Sequence, residues 1–237
     1  MDDLPRLTPN PSPTAARPLL GMTVLVVEDS LFACDAMRLM CLHSGARIRR
    51  ADCLRSARRH LQVYRPTAVI IDLGLPDGSG LDLISELSAA SPRVTSILGA
   101  SGSEGAETAA LAAGADGFLA KPLTNIGVFQ KTILATLPDD LQPCGPRLLS
   151  NQDVRPDPLA YRDDIVHVSN LLDEHSDGPV LDYVAQFLSG VARSADDGQL
   201  ALAADALGTR RHGAPLTARL AQVAGLVQER LASRAAM

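Results

Sequence analysis

Three carboxylates and one lysine in this 237-residue chain stand where they could act together. Glu28 and Asp29 follow the apolar run TVLVV, Asp72 follows AVII, and Lys121 follows GFLA. Gly99, Ala100 and Ser101 follow a further apolar run, SIL. Carboxylates brought together repel, so each tends to hold a proton unless a cation compensates. A hard divalent ion with oxygen ligands, most readily Mg²⁺, resolves that conflict and can bridge to a phosphoryl oxygen. Asp72 is then a candidate carboxylate nucleophile that forms an acyl phosphate. Lys121 is a compact cation suited to a phosphoryl oxygen. Singly, each residue has a plainer reading. Asp29 and Ser30 could cap a helix, Asp72 could sit in a turn, and Lys121 could be a solvated surface lysine. Their joint placement favours the chemistry.

The elements that would position them alternate in type. Short apolar runs near 23–27, 46–51, 68–71, 95–98 and 117–120 alternate with amphipathic stretches at 30–43, 54–64, 80–90, 106–113 and 125–137. Five strand–helix units predict a parallel sheet covered on both faces. The strands are continuous apolar runs rather than alternating ones, as burial on both faces requires. All the chemical features then fall at C-terminal strand ends, where open α/β sheets collect their ligands. Residues 1–21 carry five prolines with little apolar periodicity and read as a disordered leader. Residues 138–156 read as a linker, and 157–237 as a helical bundle with candidate helices at 158–174, 179–194, 198–208 and 214–235.

Composition narrows the function. The net charge is −5, and residues 151–237 carry 12 Asp and Glu against 8 Arg and no Lys, which argues against nucleic acid as a partner. Arg210, Arg211, His212 and Arg219 form only a small basic cluster. Cys34, Cys41, Cys53 and Cys144 show no metal-ligand spacing and read as free thiols of a reducing cytoplasm. No apolar run approaches the ~20 residues that span a bilayer, and the N-terminus lacks a signal layout. A cytoplasmic protein without membrane contact is expected.

The stretches VLVVEDS (24–30), VIIDLGLPDGSGLDL (69–83) and GADGFLAKPL (114–123) resemble the receiver domain of two-component response regulators. The resemblance covers residues 22–137 and implies a five-stranded, doubly wound, flavodoxin-like sheet. It implies Glu28 and Asp29 as the acidic pair, Asp72 as phosphoacceptor, the Gly74 carbonyl as a further Mg²⁺ ligand and Lys121 as the family's lysine. A cis Lys121–Pro122 bond would match many members. The implied partner is a histidine kinase or histidine phosphotransfer protein. The implied protein is a signalling protein, not an enzyme, whose chemistry is self-catalysed phosphoryl transfer to Asp72. One position departs from the pattern: Gly99 stands where the family usually has Thr or Ser, before Ala100, with Phe118 at the coupled aromatic position. That puts the switch in doubt, and Ser101 or Ser96 is a candidate stand-in for the missing hydroxyl. A folded receiver that is never phosphorylated and serves as a scaffold is an alternative.

Residues 183–227 weakly resemble a degenerate histidine phosphotransfer domain. Ala204-Asp205-Ala206-Leu207-Gly208 fits the frame, with Asp205 in place of the histidine. His167, His175 and His212 read as solvated or core-edge histidines. An interaction or dimerisation module, with a homodimer as one option, is favoured over a DNA-binding output.

Overall fold

The computed structural model describes residues 11–174, 178–208 and 215–233. A five-stranded sheet forms its centre, from β1 (Thr23–Val27), β2 (Arg47–Ala51), β3 (Ala68–Asp72), β6 (Ser96–Ser101) and β7 (Gly117–Ala120). The strand order is β2-β1-β3-β6-β7, and every pairing is parallel. A two-stranded ribbon of β4 (Gly74–Leu75) and β5 (Gly78–Ser79) follows β3. Alternate residues of each central strand feed two separate cores. Val24, Val26, Ala68, Ile70, Leu98 and Ala100 pack under α1 (Leu31–Ser44) and α5 (Ile126–Ala135). Leu25, Val27, Val69, Ile71 and Ile97 pack under α2 (Leu54–Val63), α3 (Gly80–Ala89) and α4 (Ala106–Ala112). The expected doubly wound sheet is therefore present, and β2 closes one edge with exposed Arg47, Arg49 and Arg50, side chains that discourage further pairing.

The helix starts are fixed by side chains at strand ends. Ser30 caps α1 by accepting from the Ala33 amide at 3.0 Å. Asn125 caps α5 in the same way through Val128. Asp77, from the loop after β3, accepts from the Leu54 and Arg55 amides at 2.8 and 2.9 Å, so the start of α2 is capped by a carboxylate from another element. Gly80 opens α3 with its α-carbon directly over the Asp72 carbonyl, leaving no room for a Cβ.

The second half of the chain is all helix among the described residues. α6 (Pro158–Glu174), α7 (Gly178–Ser194), α8 (Gly198–Gly208) and α9 (Leu216–Ser233) enclose a core around Val168, Val184, Leu188, Leu200, Ala204 and Val223. Arg230 on α9 and Tyr161 on α6 both bond Asp197, at 2.7 and 3.0 Å, and this polar tie holds the four helices in register.

Two connecting segments are held more closely than their composition suggests, residues 1–10 lying outside the described residues. The described part of the expected leader is packed: Leu19 is fully buried under α1 and its amide bonds the Ser44 carbonyl at 2.9 Å. Pro18 and Leu19, both buried, anchor the proline-rich segment. The expected linker is also held against the sheet domain. Val154 is buried and bonds the Thr124 carbonyl, Arg147 reaches Gln130 at 2.7 Å, and the Ser150 carbonyl lies against Gly127. It forms a strap along α5 and delivers α6 to the side of α1.

Replacing Gly80 by Ala drives a Cβ into the Asp72 carbonyl, so Gly80→Ala is expected to cost about 1–3 kcal/mol. Chemical denaturation measures this, and an unchanged midpoint would show that the backbone can move aside.

Candidate functional site

The parallel sheet turns in opposite directions from β1 and β3, and the loops after those strands part to leave a crevice. Glu28 and Asp29 enter it from β1, Asp72 is the last residue of β3, and Lys121 follows β7. Among the described residues, Glu28, Asp29 and Asp72 form a carboxylate cluster with oxygens within 4.8 Å of one another. The Lys121 ammonium sits 2.6 Å from Asp72 Oδ1 and 2.6 Å from Glu28 Oε2. Asp72 Oδ2 accepts from the Gly74 amide at 3.0 Å, and Glu28 Oε1 accepts from Ser30 at 3.3 Å. The Lys121–Pro122 bond is cis.

Burial sets the electrostatics. Glu28 is 1% exposed, and desolvation, reinforced by Asp72 and Asp29, pushes its carboxyl up to about 8 despite Lys121. Burial likewise raises Asp29 to about 6, against the hydrogen bond it accepts from Tyr183. Burial alone would depress Lys121, but Asp72 and Glu28 outweigh it and hold the ammonium protonated well above its ordinary value.

One lysine does not satisfy three carboxylates. Glu28 Oε2 is buried and, although close to Lys121, lies outside hydrogen-bonding geometry and has no hydrogen-bond partner. Three clustered carboxylates sharing a single ammonium are the donor set of a hard divalent cation, so these residues fit Mg²⁺.

The expected site residues converge, with differences in their surroundings. Gly99 and Ala100 are buried in β6, with Ala100 paired to Asp72 and Gly99 paired to Phe118 across β7. A Cβ on Gly99 would meet the Ala110 methyl at 2.8 Å and the Phe118 ring at 3.3 Å, so the space a hydroxyl would need is filled. Ser96 cannot substitute for it. It pairs with Ala68 at the opposite end of β3 and its hydroxyl bonds Thr136 at 2.6 Å. Ser101 does line the crevice, and its hydroxyl accepts from Ser103. His167 is exposed on α6 with its ring edge-on to Phe187, 5.6 Å between centroids. His175, His212, Arg210 and Arg211 lie outside the described residues, whereas Arg219 donates to the Ala206 carbonyl at 2.6 Å and ties α9 to α8.

Four residues of the helical half reach this site without any signal in the sequence. The Tyr183 hydroxyl donates to Asp29 Oδ2 at 2.6 Å. Asp164, 2% exposed, accepts from the Ser30 hydroxyl and the Leu31 and Phe32 amides at 2.7, 2.8 and 3.1 Å. Gln186 lies against Gly74, and Arg193 donates to the Gly102 carbonyl at 3.3 Å. Between the two halves lies a cavity of about 1130 Å³, with Asp72 and Lys121 on one wall and Ser189, Arg193 and Asp205 on the other.

The family model described as the response regulator receiver domain matches residues 24–132. The KDP operon transcriptional regulatory protein KdpE of Escherichia coli is 35% identical over 114 residues, 48% of this chain and 50% of that protein. The virulence transcriptional regulatory protein PhoP of Salmonella typhimurium is 40% identical over 63 residues, 27% of this chain and 28% of that protein. The chain thus spans half or less of the length of these curated relatives. The solved structure of the chemotaxis response regulator CheY4 of Vibrio cholerae aligns with a TM-score of 0.45 at 25% identity, covering 49% of this chain and 98% of that one. No described helix is long and apolar enough to cross a membrane.

The raised carboxyls carry a pH dependence. Glu28 and Asp29 shift upward from 4.5 and 3.8, so between about pH 4 and 8 the folded state binds more protons than the unfolded chain. Stability from this pair is full below about pH 4 and is lost as pH rises through about 6 and then about 8. Added Mg²⁺ is therefore expected to raise the melting temperature more at pH 8 than at pH 6, which calorimetry tests. Equal increments would separate the cation from these carboxyls. Gly99→Thr should overpack β6 against Ala110 and Phe118 and cost about 1–3 kcal/mol in a denaturation midpoint.

Proposed function

We propose that this chain, whose residues 24–132 form a response regulator receiver domain, is a two-component response regulator that is phosphorylated on Asp72 and signals through its helical half. The observation that carries the reading is the Lys121 ammonium bridging Asp72 and buried Glu28 at 2.6 Å each, with Asp29 as a third carboxylate beside them. The donor is a phosphohistidine of a kinase or phosphotransfer protein. An Asp72 carboxylate oxygen attacks phosphorus, a P–O bond forms as the P–N bond breaks, and the leaving imidazole takes up a proton. Lys121 exchanges part of its contact with Asp72 for a phosphoryl oxygen, and the Gly74 amide holds the other carboxylate oxygen. Glu28, Asp29, Asp72 and the Gly74 carbonyl would hold Mg²⁺, which when bound supplies charge neutralisation for the transferred group. The protein acts in signalling, and this self-directed transfer is its only reaction.

The helical half relays the state by contact with protein. Its likeness to a histidine phosphotransfer domain rests on the frame at 204–208 and the stretch 212–221 that follows, and Asp205 in place of the histidine leaves that frame without a phosphoryl carrier. DNA binding is the second reading. The similar KdpE and PhoP are named transcriptional regulatory proteins, so the comparisons do not support the expectation that nucleic acid is no partner.

Phosphoramidate with Mg²⁺ is expected to add one phosphoryl group to the full chain, to add none to Asp72→Asn, and to act at least about tenfold more slowly without Mg²⁺. Intact-mass measurement reads all three, and labelling that survives Asp72→Asn would sink the assignment. Duplex binding by the full chain that weakens steeply with added salt would instead favour the DNA reading.

A further inference from the structure

The helical half is placed on the phosphoacceptor pocket itself. Tyr183 on α7 bonds Asp29, one of the three clustered carboxylates, through a 2.6 Å hydrogen bond. Asp164 on α6 is almost fully buried against the receiver and takes up the Ser30 hydroxyl and the first two amides of α1. A buried carboxylate at a helix N-terminus gains from the helix dipole and from every donor it satisfies, and withdrawing it leaves those donors unpaired. Gln186 covers Gly74, Arg193 reaches the Gly102 carbonyl, and the Tyr161 ring packs edge-on against Phe32 at 5.8 Å. These contacts cover the α1 rim and the β4 side of Asp72.

The cavity left inside has an acidic lining. Asp182 contributes from the helical wall, Glu104 and the carboxylate cluster with Lys121 from the other, and Asp205 and Arg193 pair with each other at 2.6 Å. A phosphoryl group brings about −1.5 to −2 charges into that space, facing like charges across it. The usual hydroxyl route out of the pocket is closed at Gly99, whereas Tyr183 touches the pocket directly.

We propose that α6 and α7 form a cap docked on the phosphoacceptor pocket, anchored by Tyr183 on Asp29 and Asp164 on the start of α1, and that phosphorylation of Asp72 releases it. Release frees the covered rim of the receiver and the α6/α7 face together, which makes cap position the message that the helical half carries. This deepens the function proposed above and rests on Asp72 being the acceptor.

Hydrogen exchange in the full-length protein tests it at the Leu31 and Phe32 amides, whose protons are held by Asp164. In unmodified protein these amides are expected to exchange slowly. Tyr183→Phe removes one hydroxyl on a different helix and is expected to speed their exchange several-fold, because the cap moves as a unit. Labelling with phosphoramidate and Mg²⁺, verified by intact mass, is expected to speed it at least tenfold, and the same reagents on Asp72→Asn should leave it slow. Confirmed labelling with unchanged exchange overturns the release. Equal exchange in native protein and Tyr183→Phe overturns the anchor. Failure of Asp72 to label defeats the acceptor reading and release with it, while the Tyr183→Phe comparison still decides whether the cap is docked.

Discussion

Three carboxylates, two of them buried, converge at one end of the parallel sheet, and the compensation of their charge is the constraint on which the rest of the site depends. Lys121 bridges two of them at 2.6 Å each and is itself held protonated by them. The balance is incomplete: Glu28 and Asp29 keep raised carboxyls and one Glu28 oxygen lacks a hydrogen-bond partner. A pocket built in this way is poised to take a divalent cation, since the folded sheet has already met the cost of bringing the acids together.

The scaffold around that pocket is held by the same device used repeatedly. Helix starts offer unpaired amides, and a carboxylate from elsewhere in the chain accepts them. Asp77 does so for α2 from the loop beside Asp72, and Asp164 does so for α1 from the helical half. The first fixes the loop that carries Gly74 and Gly80. The second joins two halves of the chain at the helix that follows Glu28 and Asp29. Side chains that look like surface acids thus set the position of the loop after Asp72 and of the neighbouring helices.

Much of the sheet domain was legible because its signals are local. The apolar runs that become β1, β3 and β6 end at Glu28, Asp72 and Gly99, and the strand period itself sends alternate residues to two cores. Gly99 was legible as a departure, but the reason for it was not, since the filling groups come from Ala110 and Phe118 on neighbouring elements. The packing of the leader and the strap is not legible from composition, because prolines and polar residues dominate it, while a few buried side chains such as Leu19 and Val154 anchor them. Composition averages over a segment, whereas packing acts on one residue.

By itself the sequence determined the sheet, its order of elements, the rim on which Glu28, Asp29, Asp72 and Lys121 meet, and the helical character of the second half. These follow from short-range periodicity and from residue types placed at strand ends. Only the tertiary structure decided that α6 and α7 lie across that rim. Tyr183 and Asp29 are 154 positions apart, and Asp164 and Leu31 are 133 apart. No periodicity connects residues at such separations. Their meeting depends on the strap that carries α6 beside α1, and on the unpaired donors there that only a buried carboxylate satisfies.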